Sequence, residues 1–235
     1  MEEWNRKTVF LYGEEAYRKL ETSHVAIVGI GGVGAFAAEY LCRAGIGHLS
    51  LMDGDTVSES NLNRQLPALR STQGKSKVEV MAKRLLDINP KLDMHPIHRF
   101  LEEKDVESFL NQPFDLIVDA FDTVGPKVAL LEACVRRGIP VISAMGAAGK
   151  TDPSQICQCD ISKTHTCALA KKVRHELSLK GIKHGVPVVF SPESPHTEYV
   201  RLEKGERSVP GTVSYMPAAF ACHLAAYAIA HLLNS

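Results

Sequence analysis

The sequence lacks the features that mark several large classes of protein. Its 235 residues carry 27 basic and 27 acidic side chains, so the formal net charge is zero. That balance argues against attachment to nucleic acid by bulk charge alone. Hydrophobic residues make up 45% and charged residues 23%, which excludes a disordered chain. A chain of this length is expected to form one large domain, or one domain with a small appendage.

Cysteine is sparse, and the start of the sequence is not apolar. The chain has six cysteines, too few for a disulfide framework, and no Cys-x-x-Cys pair occurs. The first residues, Met1-Glu2-Glu3-Trp4, contain no apolar segment of the kind that signal peptides carry. Together these absences predict a cytoplasmic protein in a reducing environment.

One long apolar run is present, at residues 216–233, and it contains His223 and His231. The run is slightly shorter than the roughly 20 residues that a membrane-spanning helix needs, and Pro217 lies near its start. We therefore expect a buried core helix or a helix at a dimer interface rather than a membrane-spanning helix.

Elsewhere, short apolar runs alternate with segments of helical periodicity. Strands are expected at residues 24–29, 48–53, 92–97, 114–119 and 140–145, and later at 155–161 and 187–190. Helices are expected between them, including one at residues 168–179, with a long closing helix after residue 211. This order predicts an α/β fold with a doubly wound, mostly parallel sheet.

A glycine-rich turn, Gly29-Ile30-Gly31-Gly32-Val33-Gly34, lies between the first expected strand and its helix. Glycines allow a tight turn there, and the start of the helix presents free N–H groups to a phosphate. Asp53 ends the next strand, where a carboxylate can bind ribose hydroxyls. The pattern predicts a Rossmann-like adenine nucleotide site without separating NAD, FAD and ATP. A glycine turn that serves packing alone is the competing interpretation.

Charged residues downstream favour ATP. Arg64 and Lys77 are suitable cations for a site that cleaves a phosphate chain, because charge builds up on the phosphates as the leaving group departs. Asp122, at the carboxyl end of an expected strand, is a suitable Mg²⁺ ligand. Hydride transfer would require no such cations. Each residue taken alone would more often be a solvated surface charge.

These motifs, taken as a set, resemble the adenylating superfamily of ThiF, MoeB and the ubiquitin-activating enzymes. The resemblance rests on GIGGVG, on Asp53 to Gln65 (DGDTVSESNLNRQ), on Gly74 to Glu79 (GKSKVE) and on Asp119 to Asp122 (DAFD). Within the superfamily the chain is most similar to the tRNA threonylcarbamoyladenosine dehydratases, the TcdA/CsdL branch. That similarity adds AGIGHLSLMD, Pro126-Lys127, Asp152-Pro153-Ser154 and VVFSPE, so it extends over nearly the whole chain.

The resemblance implies a role for each matching position. The expected cofactor-binding residues are Gly29, Gly31, Gly32, Gly34, Asp53, Asp55, Asn61, Arg64, Lys77, Asp122 and Arg6. Three of them, Arg64, Lys77 and Asp122, are expected to be catalytic, and Asp122 to carry Mg²⁺. Arg6 matches an arginine that relatives insert into the partner protomer's site, which implies a homodimer. Residues 1–150 would form the ATP-binding core, and residues 151–235 an elaboration of the same globule.

Cysteines and a basic segment distinguish the chain within this superfamily. The two structural Cys-x-x-Cys pairs usual in ThiF and MoeB are absent. Cys157, Cys159, His165 and Cys167 cluster in the sequence, either as zinc ligands or as reduced cysteines on a strand and loop. Residues 163–184 are basic, and the branch implies contact with tRNA through Lys163, Lys171, Lys172 and Arg174. A solvated helix face is the alternative interpretation.

The implied activity is ATP-dependent dehydration of threonylcarbamoyladenosine in tRNA. Adenylation of the threonyl carboxylate would release pyrophosphate, and ring closure would release AMP. The alternative is adenylation of the C-terminal glycine of a ubiquitin-like sulfur-carrier protein, and an NAD-binding oxidoreductase or sensor is a third reading. The branch also implies a cysteine desulfurase system as a partner. His165, His175, His184 and His196 could act as general bases, although a lone histidine is more often a surface or core residue.

Overall fold

A computed structural model describes residues 3–195 and 211–235 of the chain. Its strands are β1 (His24–Val28), β2 (His48–Met52), β3 (Asp93–Ile97), β4 (Leu116–Asp119), β5 (Val141–Ala144), β6 (Cys157–Asp160) and β7 (Pro187–Phe190). Its α-helices are α1 (Arg6–Tyr12), α2 (Glu14–Thr22), α3 (Gly34–Ala44), α4 (Lys77–Ile88), α5 (Val106–Phe109), α6 (Val124–Arg137), α7 (Ala168–Leu179) and α8 (Tyr215–Asn234).

The described strands form a single sheet in the order β3-β2-β1-β4-β5-β7-β6. Neighbouring strands run parallel except β6, which is antiparallel to β7. The predicted doubly wound, mostly parallel sheet is therefore confirmed. The chain moves outward from β1 to β3 and then returns to place β4 on the other side of β1. Such a reversal opens a crevice at the carboxyl ends of the strands, where ligands of open α/β sheets bind.

Alternation along β1 divides the interior into two cores. Val25 and Ile27 face one core, whose helical side comes from α3, α4 and α8. Ala26 and Val28 face the other core, which is built with α5, α6 and α7. Because successive side chains of a strand point to opposite faces, an uninterrupted apolar run is what a strand covered on both faces requires. The central strands are thus held rigidly from both sides.

The described part of residues 151–235 shares this sheet and its cores. β7 pairs with β5, and Gln158 of β6 donates a hydrogen bond of 2.7 Å to the His223 carbonyl of α8. By length and composition α8 could cross a membrane, with a mean hydropathy of 1.5 over its most apolar window. Met216, Phe220 and Leu224 of this helix are nevertheless fully buried in the core. Core packing therefore explains much of the apolar character of α8.

Candidate functional site

A cleft of about 740 Å³ runs along the carboxyl ends of β1, β2, β4 and β5. One side is formed by the glycine turn and by Asp53, which follows β2. The other side is formed by Ala144 at the end of β5 and by the loop at residues 145–148. Thr212 and Pro217 also line the cleft, and Pro217 packs against Gly32 of the glycine turn. The switch point of the sheet, between β1 and β4, lies between these two sides. This position is the one that the fold favours for a nucleotide.

The glycine turn is compact because side chains would not fit at two of its positions. Gly29 has a φ of +91°, and a Cβ atom there would lie 2.8 Å from the Ala120 carbonyl carbon. A Cβ atom on Gly34 would lie 1.8 Å from the Gly29 carbonyl oxygen. Within the described chain the N–H groups of Gly31, Gly32 and Val33 donate no hydrogen bond. They precede the first turn of α3, where free N–H groups are suited to bind a phosphate, and the predicted phosphate contact stays a prediction.

Asp53 joins the end of β2 to the glycine turn. One carboxylate oxygen accepts the Ile30 N–H at 2.6 Å, and the other accepts the Asp55 N–H at 2.8 Å. The carboxylate also lines the cleft. Asp53 therefore orients the phosphate turn, and its predicted contact with ribose stays a prediction.

Two cations line the cleft beside this turn. The Lys77 ammonium is buried, with 5% of its side chain exposed, and lies 2.8 Å from the carboxylate of the more exposed Asp55. The Arg64 guanidinium donates to the Ser60 carbonyl at 2.9 Å and to the Asn63 side chain at 2.8 Å. Both charges are thus held in place before a ligand arrives, which lowers the cost of reorganisation when negative charge develops.

Asp122 is exposed and lines the cleft from the loop after β4, three residues after the end of that strand. Its turn rests on a buried ion pair, in which the Lys127 ammonium lies 2.7 Å from both the Asp119 carboxylate and the Phe121 carbonyl oxygen. The Ser143 hydroxyl donates to the second Asp119 oxygen at 2.6 Å. Burial raises the pKa of Asp119, and the Lys127 charge opposes that rise. Sequence reasoning singled out Asp122 and missed this support.

Three predicted cofactor residues do not line the cleft. Gly34 begins α3 and acts through close packing rather than direct contact. The Asn61 side-chain oxygen accepts the Ser58 N–H at 3.1 Å and so caps its own loop. Arg6 lies on α1, where its guanidinium stacks 5.1 Å from the centre of the Phe10 ring. The predicted phosphate contact of Asn61 and the predicted role of Arg6 in a partner stay predictions.

The basic segment adjoins the cleft, since Leu169 in the first turn of α7 lines it. Lys163, Lys171 and Lys172 are exposed. Arg174 differs: its half-buried guanidinium donates to the Thr164 carbonyl oxygen at 2.6 Å and therefore also braces the preceding loop. Among the histidines considered as bases, His165, His175 and His184 are exposed, and His196 lies outside the described residues.

The cysteines are free thiols. Among residues 3–195 and 211–235, no group of three or more His, Cys, Asp or Glu side chains is arranged to hold a metal ion. Burial raises the pKa of the Cys157 and Cys159 thiols on β6, so neither is activated as a thiolate. The described side chains give no support to the zinc interpretation, and reduced cysteines on a strand and loop stay a prediction.

Comparison with known proteins matches the ThiF family over residues 5–235. The chain belongs to the ThiF family. This ThiF-family chain is 46% identical to the tRNA threonylcarbamoyladenosine dehydratase of Bacillus subtilis (strain 168), over 87% of its own length and 82% of that protein's. The molybdopterin-synthase adenylyltransferase of Escherichia coli (strain K12) is 39% identical over 56% of the chain and 51% of its own length.

The fold of this ThiF-family chain also matches that of a crystallised dehydratase. The crystal structure of the E. coli tRNA N6-threonylcarbamoyladenosine dehydratase TcdA in complex with ATP superposes with a TM-score of 0.90 at 35% identity. The match covers 98% of this chain and 94% of that one. The similarity therefore includes the segments after residue 150 as well as the nucleotide-binding half.

Proposed function

We propose that this chain is an ATP-dependent tRNA threonylcarbamoyladenosine dehydratase. The observation that carries the proposal is the cleft itself, which is lined by the free N–H groups of the glycine turn, by two preplaced cations and by Asp122. The 46% identity to the B. subtilis dehydratase supports the substrate. The adenylyltransferase alternative has weaker support, because that similarity covers only 56% of the chain.

ATP would bind with its phosphates against the N–H groups of Gly31 and Gly32, within reach of Arg64 and Lys77. Asp53 would lie beside the ribose. The exposed Asp122 carboxylate suits Mg²⁺, which prefers one or two carboxylates together with phosphate oxygens. When bound, Mg²⁺ would neutralise part of the negative charge on the phosphates. The chain's own contribution is to hold the phosphates in line with the incoming carboxylate.

The reaction would then proceed in two steps. The threonyl carboxylate attacks the α-phosphorus of ATP, a new O–P bond forms, and pyrophosphate leaves. The carbamoyl group of the same side chain attacks the activated carbonyl carbon and loses a proton, and AMP departs with the former carboxylate oxygen. The nucleoside has then lost the elements of one water. Since both reacting groups belong to one side chain, the second step is intramolecular and needs no nucleophilic cysteine.

The macromolecular contacts follow from the surface around the cleft. Lys163, Lys171 and Lys172 would contact tRNA phosphates close to the cleft, with Arg174 in a secondary role. The homodimer would use α1, where Phe10 and Leu11 are 67% and 74% exposed beside Arg6, because adjacent exposed apolar side chains favour a protein interface. Partnership with a cysteine desulfurase and a cytoplasmic location rest on the family resemblance and the sequence composition.

One incubation tests the proposal. The protein is mixed with ATP, Mg²⁺ and tRNA that carries threonylcarbamoyladenosine, and AMP release is followed together with the mass of the digested nucleoside. We expect AMP formation that depends on the modified tRNA and a nucleoside lighter by one water. Unmodified tRNA of the same sequence is the control. AMP or pyrophosphate exchange that ignores the tRNA would instead support a protein substrate, and an absence of ATP turnover would contradict both functions.

A further inference from the structure

The wall of the cleft on the β5 side is held by charges that do not themselves face the cleft. Gly146, Ala147 and Ala148 line the cavity. Lys150 follows two residues later and is only 3% exposed. Its ammonium group donates to the backbone carbonyl oxygens of Ser191 and Glu193, at 3.0 and 2.5 Å. A buried ammonium is costly unless its hydrogen bonds are made, so the end of this loop is tied firmly to the chain that follows β7.

The Glu193 side chain, in turn, binds the backbone just after Lys150. Its carboxylate accepts the N–H groups of Thr151 and Asp152 at 2.9 and 3.0 Å, and the Thr151 hydroxyl at 3.1 Å. Although burial alone would raise the pKa of Glu193, these hydrogen bonds lower it. Each side chain thus binds the backbone next to the other. We call this arrangement the Lys150–Glu193 clamp.

A third segment is fastened to the same loop. The Gly149 N–H donates to the Gly211 carbonyl oxygen at 2.7 Å, and the Tyr215 hydroxyl donates to the Thr151 carbonyl oxygen at 3.0 Å. Between and just after these anchors, Thr212 and Pro217 line the cleft. The clamp and these two hydrogen bonds therefore join three distant stretches of the chain. We use the term β5-side wall for residues 146–148 alone, because Pro217 packs against Gly32 of the glycine turn.

The position of this wall indicates which substrate it meets. The glycine turn and Asp53 lie at the ends of β1 and β2, whereas the wall follows β5, which is separated from β1 by β4. With about 4.8 Å between neighbouring strands, the wall stands roughly 10 Å from the end of β1. A nucleotide on the glycine turn would leave this side of the cleft to the other reactant.

We propose that Lys150 and Glu193 are positioning residues that hold the β5-side wall against the modified nucleoside of tRNA. The proposal rests on the dehydratase function proposed above. A wall that shifts by about 1 Å would misplace the carboxylate relative to the α-phosphorus, which costs up to about 100-fold in rate. ATP binding should change far less, because Pro217 beside Gly32 is held by the Gly149–Gly211 and Tyr215–Thr151 hydrogen bonds, which use neither clamp side chain.

The test compares Lys150→Met with the wild-type enzyme. Three quantities are measured: kcat and KM for tRNA carrying threonylcarbamoyladenosine, the Kd for ATP by calorimetry, and the Tm. We expect kcat/KM for the tRNA to fall by about 10- to 100-fold, with the Kd for ATP within about twofold of wild type. Lys150→Arg keeps donors for the carbonyl oxygens and should recover most of the activity. Lys83→Met, an exposed lysine on α4, is the matched control and should behave as wild type.

Each outcome bears on the clamp. Wild-type dehydration together with an unchanged kcat/KM in Lys150→Met refutes the positioning role and leaves the proposed function standing. A parallel loss of ATP affinity also refutes it, since that result means general disruption. If Lys150→Met does not fold, Glu193→Gln decides by the same two criteria, because it retains the ammonium contacts and removes one acceptor oxygen. Failure of the wild-type enzyme to dehydrate the nucleoside overturns the function and the clamp together.

Discussion

Replacing Lys127 with Met removes one partner of the buried ion pair beneath Asp122. Both side chains of the pair are fully buried, so the variant leaves the Asp119 carboxylate in the core with only the Ser143 hydroxyl and nearby backbone for support. Breaking a buried pair in this way costs about 3–5 kcal/mol. The free energy of unfolding of a typical domain is roughly 5–15 kcal/mol. We therefore expect Lys127→Met to lose a large part of its free energy of unfolding, which is measurable as a lower urea midpoint.

The double variant Lys127→Met with Asp119→Asn separates the charge effect from the loss of packing. Because it removes both charges, it should recover much of the stability lost in the single variant. Lys104→Met is a control, since Lys104 and its partner Glu102 are 75% and 60% exposed, and it should change the urea midpoint far less. A Lys127→Met variant as stable as this control would refute the reasoning.

The cost of Lys127→Met should also depend on pH. Burial raises the pKa of Asp119, and the charge of Lys127 opposes that rise, so removing the lysine raises the pKa further. A carboxyl group whose pKa is higher in the folded than in the unfolded state lowers the free energy of unfolding as the pH rises, and has no such effect at low pH, where it is protonated in both states. The difference in free energy of unfolding between wild type and Lys127→Met should therefore be larger at about pH 8 than at about pH 5.5. A deficit independent of pH would contradict this account.

The remaining predictions concern the cleft and the far end of the sheet. Lys77→Ala and Asp122→Ala should each lower AMP formation by about 100-fold or more without changing the far-ultraviolet circular dichroism; normal activity in either would remove the phosphate-site assignment. Gly34→Ala should abolish ATP binding in calorimetry, because its Cβ would meet the Gly29 carbonyl oxygen at 1.8 Å. Burial and the neighbouring histidines lower the pKa of His24 from 6.5, so the Tm should fall as the pH drops below that value. In His24→Gln the decrease in Tm at low pH should be smaller. A variant whose Tm has the same pH dependence as wild type would show that His24 is not responsible for the decrease.

Local patterns predicted the elements that carry the site. The apolar runs ending at Gly29 and Asp119 placed β1 and β4 to within two residues, because a strand covered on both faces must be apolar throughout. The bounds of α7 agree with its predicted range, because the alternation of apolar and polar residues with a helical period begins and stops at identifiable residues. The helices at residues 6–12 and 14–22 were not predicted.

Contacts between distant parts of the chain were beyond the reach of such patterns. Asp119 belongs to a motif that was recognised, yet its partner Ser143 lies on β5 and is brought near only by the strand order. Lys150 and Glu193 are separated by more than forty positions. A buried lysine bound to carbonyl oxygens looks like any other lysine in the sequence, since its environment is set by topology rather than by its neighbours along the chain.

The contact between α8 and the glycine turn has a consequence for synthesis on the ribosome. Pro217 packs against Gly32, so that a Cβ atom on the glycine would lie 3.1 Å from the proline ring, and the same helix covers α3. While residues 215–234 remain in the exit tunnel, the nascent chain has the whole phosphate turn but an uncovered apolar helix and an unfinished cleft. Exposed apolar surface of this kind makes partly synthesised chains prone to aggregation. Competence for ATP should therefore appear late, only once these residues have been released.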